Sequence, residues 1–215
     1  LTIQLQATLK SLLSFLKSPA DSSKLRQLTF KEKFPTIIAL LIIGLIASFA
    51  VLFLVSFIEE FVSIDLGNHA VEEILKENPV LSAIFGIIIA PILEELLFRS
   101  WLTFRRAYFF LWIPITFYKW LNKSSEFIAF KKVKTQWNKI YPFIFYFSAL
   151  IFGLVHASNF ENYMDYLWFA PLITLPQIIL GGTFGYVRVK FGLVYSMLLH
   201  GLHNLVLLGP VILFT

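Results

Sequence analysis

The chain has 215 residues, of which 58% are hydrophobic and only 14% charged, with a mean hydropathy of +0.76. That composition excludes an ordinary water-soluble domain and reads as an integral membrane protein. The net charge of +5 marks a cytoplasmic face and anionic headgroups in so apolar a chain, so nucleic acid is not expected as a partner. The absence of cysteine removes disulfides, thiolate nucleophiles and thiolate metal sites together.

Residues 1–34 alternate apolar and polar, with Leu5, Leu9, Leu12, Leu13 and Leu16 near helical spacing beside Lys10 and Lys17. This predicts an amphipathic helix lying at the membrane interface. No basic start leads into a long apolar core followed by a small-residue site, so a cleavable leader is not expected here.

The rest, 35–215, reads as one membrane-embedded domain. Residues 36–58 carry no charge and are long enough to cross a hydrocarbon core of about 30 Å. An acidic loop follows, with Glu59, Glu60, Asp65, Glu72, Glu73 and Glu77 against Lys76, and His69 as a solvated side chain. A second span runs from Pro79 to about Phe104, kinked at Pro91. Three more are predicted at about 142–158, 166–187 and 191–213.

The stretch 107–118 is apolar but short and interrupted by Pro114. If it does not cross, every Lys and Arg except Lys76 lies on one side, which favours five spans, a cytoplasmic amino terminus and 105–140 as a basic cytoplasmic insertion. That insertion reads first as a solvated loop at the headgroups, with gating, binding of membrane lipid or docking of a protein partner as alternatives. The fold class is therefore all-α, a polytopic membrane helical bundle of about five spans with an interfacial helix and a basic insertion.

Ionisable side chains inside the membrane cost about 2.5–3.5 kcal/mol each on insertion scales, so a cluster of them marks a site. Glu95 and Arg99 stand four apart on one helix face and are expected to pair, while Glu94 is turned about 100° away and is the carboxylate available to take a proton from water. Downstream, His156 stands at the end of the third span, and His200 and Asn204 share one face of the last, with His203 between them as packing. Glu94 with His156 could activate a water while His200 and Asn204 stabilise the oxyanion formed when it attacks a carbonyl. The parts suit amide hydrolysis without a protein nucleophile. A Glu–Arg pair alone is as often structural, and His200 with Asn204 alone could be interhelical glue.

The three clusters, "EELLFR" (Glu94, Glu95, Arg99), "FGLVH" (Phe152, His156) and "HGLHN" (His200, Asn204), resemble the CPBP intramembrane proteases. That family includes the type II CAAX prenyl endopeptidases and the bacterial Abi or bacteriocin-processing proteins. The resemblance covers about residues 80–210. It implies an intramembrane endopeptidase with Glu94, His156, His200 and Asn204 as catalytic groups, Glu95 and Arg99 in support, and a peptide or membrane protein as substrate. Both a metal-free, glutamate-dependent mechanism and a metalloprotease mechanism are associated with the family. Zinc on His156, His200 and a carboxylate is chemically compatible with these residues.

The implied location is a bacterial inner membrane with the amino terminus in the cytoplasm. Two other functions fit the composition: a non-catalytic scaffold or accessory subunit that keeps the polar cluster, and a proton-coupled carrier, for which an inverted repeat would be expected.

Overall fold

The computed structural model describes residues 2–21, 24–62, 66–67 and 78–214. Most of the predicted acidic loop, including Asp65, His69, Glu72, Glu73, Lys76 and Glu77, lies outside them. The helices are α1 (Thr2–Lys17), α2 (Phe30–Val62), α3 (Pro79–Arg99), α4 (Phe104–Asn122), α5 (Glu126–Val155), α6 (Ala170–Ile173), α7 (Leu175–Lys190) and α8 (Leu193–Phe214). No strand occurs among the described residues. Four helical segments are long and apolar enough to cross a bilayer: Phe30–Ile58, Pro79–Arg99, Glu126–Asn159 and Leu193–Pro210. The chain is an all-α polytopic bundle.

Helix α1 forms as its periodicity predicts and buries Thr8, Leu12 and Phe15. It is more than an interfacial float. Phe15 meets the rings of Phe145 and Tyr186 edge-on, Ser11 shares a 2.8 Å hydrogen bond with Tyr186, and Tyr146 donates to the Leu16 carbonyl. Helix α2 starts at Phe30, five residues before the boundary drawn from the sequence. Glu32 accepts from both the backbone N–H and the hydroxyl of Thr29 at 2.7 Å, closing the amino-terminal turn ahead of Pro35.

The predicted span at 166–187 is not one helix. Short 3₁₀ and α turns at Tyr163–Tyr166 and Ala170–Ile173 precede α7, with the break at Thr174. Pro171 and Pro176, which lack the N–H a continuous helix needs, flank that break. At 16 residues α7 is about 24 Å long, shorter than the hydrocarbon core. Every residue from Leu180 to Val189 is buried. A helix apolar all round is the core of the bundle, and hydropathy alone does not separate that from a lipid-facing span.

Helices α5 and α7 run antiparallel at close range because glycines face the partner backbone. A Cβ on Gly153 would sit 2.2 Å from Ile178 Cγ1 and 3.0 Å from its backbone nitrogen, and one on Gly181 would sit 3.1 Å from the Ala149 Cα. Gly153→Ala is therefore expected to force α5 and α7 apart, at a cost of about 1–3 kcal/mol. The displacement should also lower activity, because His156 stands one turn further on. Unfolding in detergent of the variant beside the parent, with a cleavage assay, checks both effects.

The basic insertion is not a loop. Residues 104–140 form a helical hairpin: α4 ends in the left-handed residue Lys123 (φ 47°), and Ser125 caps the start of α5, which continues through Pro142 into the membrane-crossing part. Phe104 packs edge-on against Phe130 and Trp137, which fastens the two arms.

Helix α3 departs from regularity just before Pro91. Residues Phe85–Ile89 form a π-turn, with the Ala90 N–H reaching the Phe85 carbonyl. Proline has no N–H for the Ile87 carbonyl and its ring crowds it, so the widened turn relieves both problems. Helix α8 packs closely against the freed carbonyls. Asn204 Nδ2 donates to Gly86 O at 2.8 Å, and Gly201 presses on Ile87 O so closely that a Cβ would lie 2.8 Å away.

Candidate active site

The two carboxylates of α3 diverge as their spacing predicts. Glu95 and Arg99 are both fully buried, with Arg99 Nη1 3.4 Å from Glu95 Oε1. The guanidinium also lies on the face of Phe152, 3.6 Å from the ring centroid. Among the described residues its nitrogens meet no hydrogen-bond acceptor, so the charge is held by the carboxylate and the aromatic face. The other Glu95 oxygen accepts from the Ser196 hydroxyl, which is itself 2.9 Å from the Phe184 carbonyl.

Glu95 also fixes His200. Its Oε1 lies 3.2 Å from His200 Nδ1, and a carboxylate paired with arginine accepts, so Nδ1 carries the hydrogen and neutral His200 turns a lone pair at Nε2 into the site. Phe184 stacks on the imidazole at 4.5 Å, fixing its plane. His156 is oriented in the same sense by a different group: its Nδ1 is 2.7 Å from the Phe152 carbonyl. A carbonyl can only accept, so Nε2 of neutral His156 is again the free lone pair. Phe152 therefore serves three partners, with its face on Arg99, its edge on both imidazoles and its carbonyl on His156.

Glu94 faces both Nε2 atoms. Its Oε2 is 3.8 Å from His156 Nε2 and 3.7 Å from His200 Nε2. Those gaps are too long for direct hydrogen bonds and suit a small bridging species. Three acceptors converge on one point with no donor among them. Glu94 and His156 keep partial exposure, at 28% and 20% of their side chains, whereas His200 keeps 5%. The Glu94 Oε2 atom is itself buried and meets no hydrogen-bond partner among the described residues, so the polar point is enclosed while the rest of the Glu94 side chain is partly exposed.

Asn204 lies one turn further along α8 and is only half available, since one amide hydrogen is spent on Gly86 O. His203 is buried edge-on against Phe184 and does not face Glu94's group.

The donor types around Glu94 are those zinc takes, and each histidine has its second nitrogen fixed by an oxygen, as metal-binding histidines commonly do. Among the described residues, no group of three or more His, Asp or Glu side chains is arranged to hold a metal ion.

Two supporting residues carry no signal in the motif spacings. Ser196 precedes His200 by four residues, so the same helical face reaches Glu95. Arg188, buried near the end of α7, donates from Nε to the Arg99 carbonyl and from Nη2 to the Ser100 carbonyl, both at 2.8 Å, and reaches Thr103 Oγ1 at 3.2 Å. These bonds satisfy the last carbonyls of α3. With Tyr141 donating to Leu102 O at 2.8 Å, Ser148 to Phe98 O at 2.6 Å and Asp21 accepting from Phe104 N at 2.6 Å, they fix the end of the helix that carries both glutamates.

The family model for type II CAAX prenyl endopeptidase, Rce1-like, matches residues 76–206, a stretch that holds Glu94, Glu95, Arg99, His156, Arg188, Ser196, His200 and Asn204. No curated protein and no solved structure matches the chain. Covering more than half of the sequence, the family match shows that the chain belongs to the Rce1-like type II CAAX prenyl endopeptidases, a family of CAAX-type intramembrane proteases.

Proposed function

We propose that the protein cleaves a peptide bond with a water molecule held by Glu94, His156 and His200, near the cytoplasmic face of a bacterial inner membrane. The observation that carries this reading is the convergence of Glu94 Oε2 with both Nε2 atoms at 3.7 and 3.8 Å. A water has the two O–H donors that such a ring of acceptors calls for. Glu94 takes a proton as the water oxygen attacks the carbonyl, and the same carboxyl returns it to the leaving amine. His156 holds the second water proton. Neutral His200, with Nδ1–H on Glu95, has no Nε2–H for the developing oxyanion and holds the water through its Nε2 lone pair, so the remaining Asn204 N–H is the donor for the oxyanion. Glu95, Arg99 and Ser196 position His200 without touching substrate.

The side of the membrane follows from charge: Arg99, Arg188, Lys190 and the basic hairpin lie toward one end of the bundle, which the positive-inside rule assigns to the cytoplasm. The substrate class is a membrane-anchored or lipidated peptide, because only a substrate held in the bilayer presents a bond at that depth.

The purified protein in vesicles, offered prenylated CAAX peptides, unmodified copies and membrane-spanning peptides, is expected to cut bilayer-bound substrates and leave the soluble copies intact. After treatment with a strong chelator and dialysis the rate should stay within about twofold of the parent, as expected of a base supplied by a carboxylate alone. A rate lost on chelation and restored by added zinc would overturn the metal-free mechanism. Equal cutting of soluble and bilayer-bound peptides would overturn the substrate class.

A further inference from the structure

The α4–α5 hairpin ends in a tip that combines large exposed apolar side chains with lysines. Phe117, Trp120, Leu121, Phe127 and Ile128 flank the Lys123 corner, and Trp120 and Phe127 are each 73% exposed. Lys119, Lys123, Lys131 and Lys132 are exposed among them, and the one acid there, Glu126, stands 3.9 Å from Lys119.

The tip is built rather than frayed. Phe117 and Trp120 stack at 6.2 Å, and Ser125 caps α5. So much exposed aromatic surface on an ordered element requires a cover. The hydrocarbon core crossed by the four spans does not supply it, because α4 is not among the helices apolar enough to cross and is rich in charge at both ends.

We infer that the tip docks onto the anionic headgroup layer on the side of the membrane where Arg99 and Arg188 lie. Three observations point there. Helix α5 has 30 residues, about 45 Å, and overshoots a core of about 30 Å by about 15 Å, a length that headgroups and tilt take up. The tip is tethered to the membrane-crossing part through one continuous helix, so the surface lies within reach. Tryptophan and phenylalanine set among lysines match the chemistry of an interface, with rings at the acyl boundary and ammonium groups on phosphates.

Because the chain has no cysteine, one introduced residue reports the position of the tip without background. Asn122→Cys at the tip and Gln136→Cys further along the arm, each carrying an environment-sensitive nitrobenzoxadiazole label, are placed in vesicles of phosphatidylcholine alone or mixed with phosphatidylglycerol. The label at 122 is expected to brighten, shift to the blue and escape iodide quenching in the mixed vesicles only, while the label at 136 changes less. Replacing Lys119, Lys123, Lys131 and Lys132 by Gln one at a time should lower the docked-to-free ratio about fivefold per lysine, and raising the salt should act in the same direction. Arginine at those positions should preserve docking.

A label at 122 that stays open to iodide in both vesicles overturns the inference. Equal shielding in neutral and anionic vesicles overturns the role of the lysines. Shielding in native membranes but not in vesicles makes a protein the occupant, and likewise overturns it.

Discussion

Glu94→Gln is expected to lower the cleavage rate by about 10²–10⁴-fold, the range for losing a general base, while leaving the protein as stable as the parent or more so. Both expectations come from the same geometry. Glutamine keeps the shape of the side chain but cannot take a proton from water. It adds an amide N–H where Glu94 Oε2 faces two imidazole lone pairs at 3.7 and 3.8 Å, so a point crowded with acceptors gains a donor. One such bond is worth about 1 kcal/mol.

KM should change little, because the carboxylate acts as the water attacks and is not the handle that binds the peptide. Glu94→Asp keeps the charge but withdraws it by about one bond length, and a misplacement of about 1 Å can cost about 10²-fold. The measurement is kcat and KM on a bilayer-bound peptide, with unfolding midpoints in detergent on the same preparations. A Gln variant that cuts at the parent rate would remove Glu94 from the chemistry. One that is inactive and also markedly less stable would make Glu94 a structural group.

The divergence of the two glutamates was legible because helical spacing is a local property. Four residues bring Glu95 to Arg99, and 100° sends Glu94 away, whatever the rest of the chain does. The meeting of His156 and His200 with Glu94 is not local. It could be expected only from the motif set, since three helices must be brought together by contacts such as Gly153 on Ile178, which no spacing encodes.

The split role of Asn204 was out of reach for a related reason. Its partner, the Gly86 carbonyl, is free only because the helix widens into a π-turn ahead of Pro91. Proline announces some distortion there but not which carbonyl it releases. Composition misled at two places for one physical reason: hydropathy records that a segment avoids water, not what replaces the water. Residues 180–187 of the predicted span avoid it by lying inside the bundle. In the basic insertion, Arg105, Arg106 and the lysines masked a hairpin held by Phe104, Phe130 and Trp137.

Arg99→Ala should be the most destabilising single change in the site, by about 3–5 kcal/mol, because it leaves the Glu95 carboxylate buried without its cation. The loss includes packing, since the guanidinium covers the face of Phe152 at 3.6 Å. Removing both charges while keeping the volume, as in Glu95→Gln with Arg99→Met, should recover most of that stability, because the cost of burying the ions disappears with the ions. The double variant should nevertheless cut slowly. His200 Nδ1 would lose the carboxylate at 3.2 Å that fixes which nitrogen faces Glu94, and a glutamine amide can turn its own N–H toward Nδ1 and favour the other tautomer.

Stability and activity thus separate in one pair of residues. Unfolding by a denaturing detergent for the parent, both single variants and the double variant gives the coupling between them, and cleavage rates on the same four proteins give its functional consequence. Single losses that simply add in the double variant would mean that the two charges do not hold each other. A double variant with the parent's rate would mean that Glu95 positions nothing.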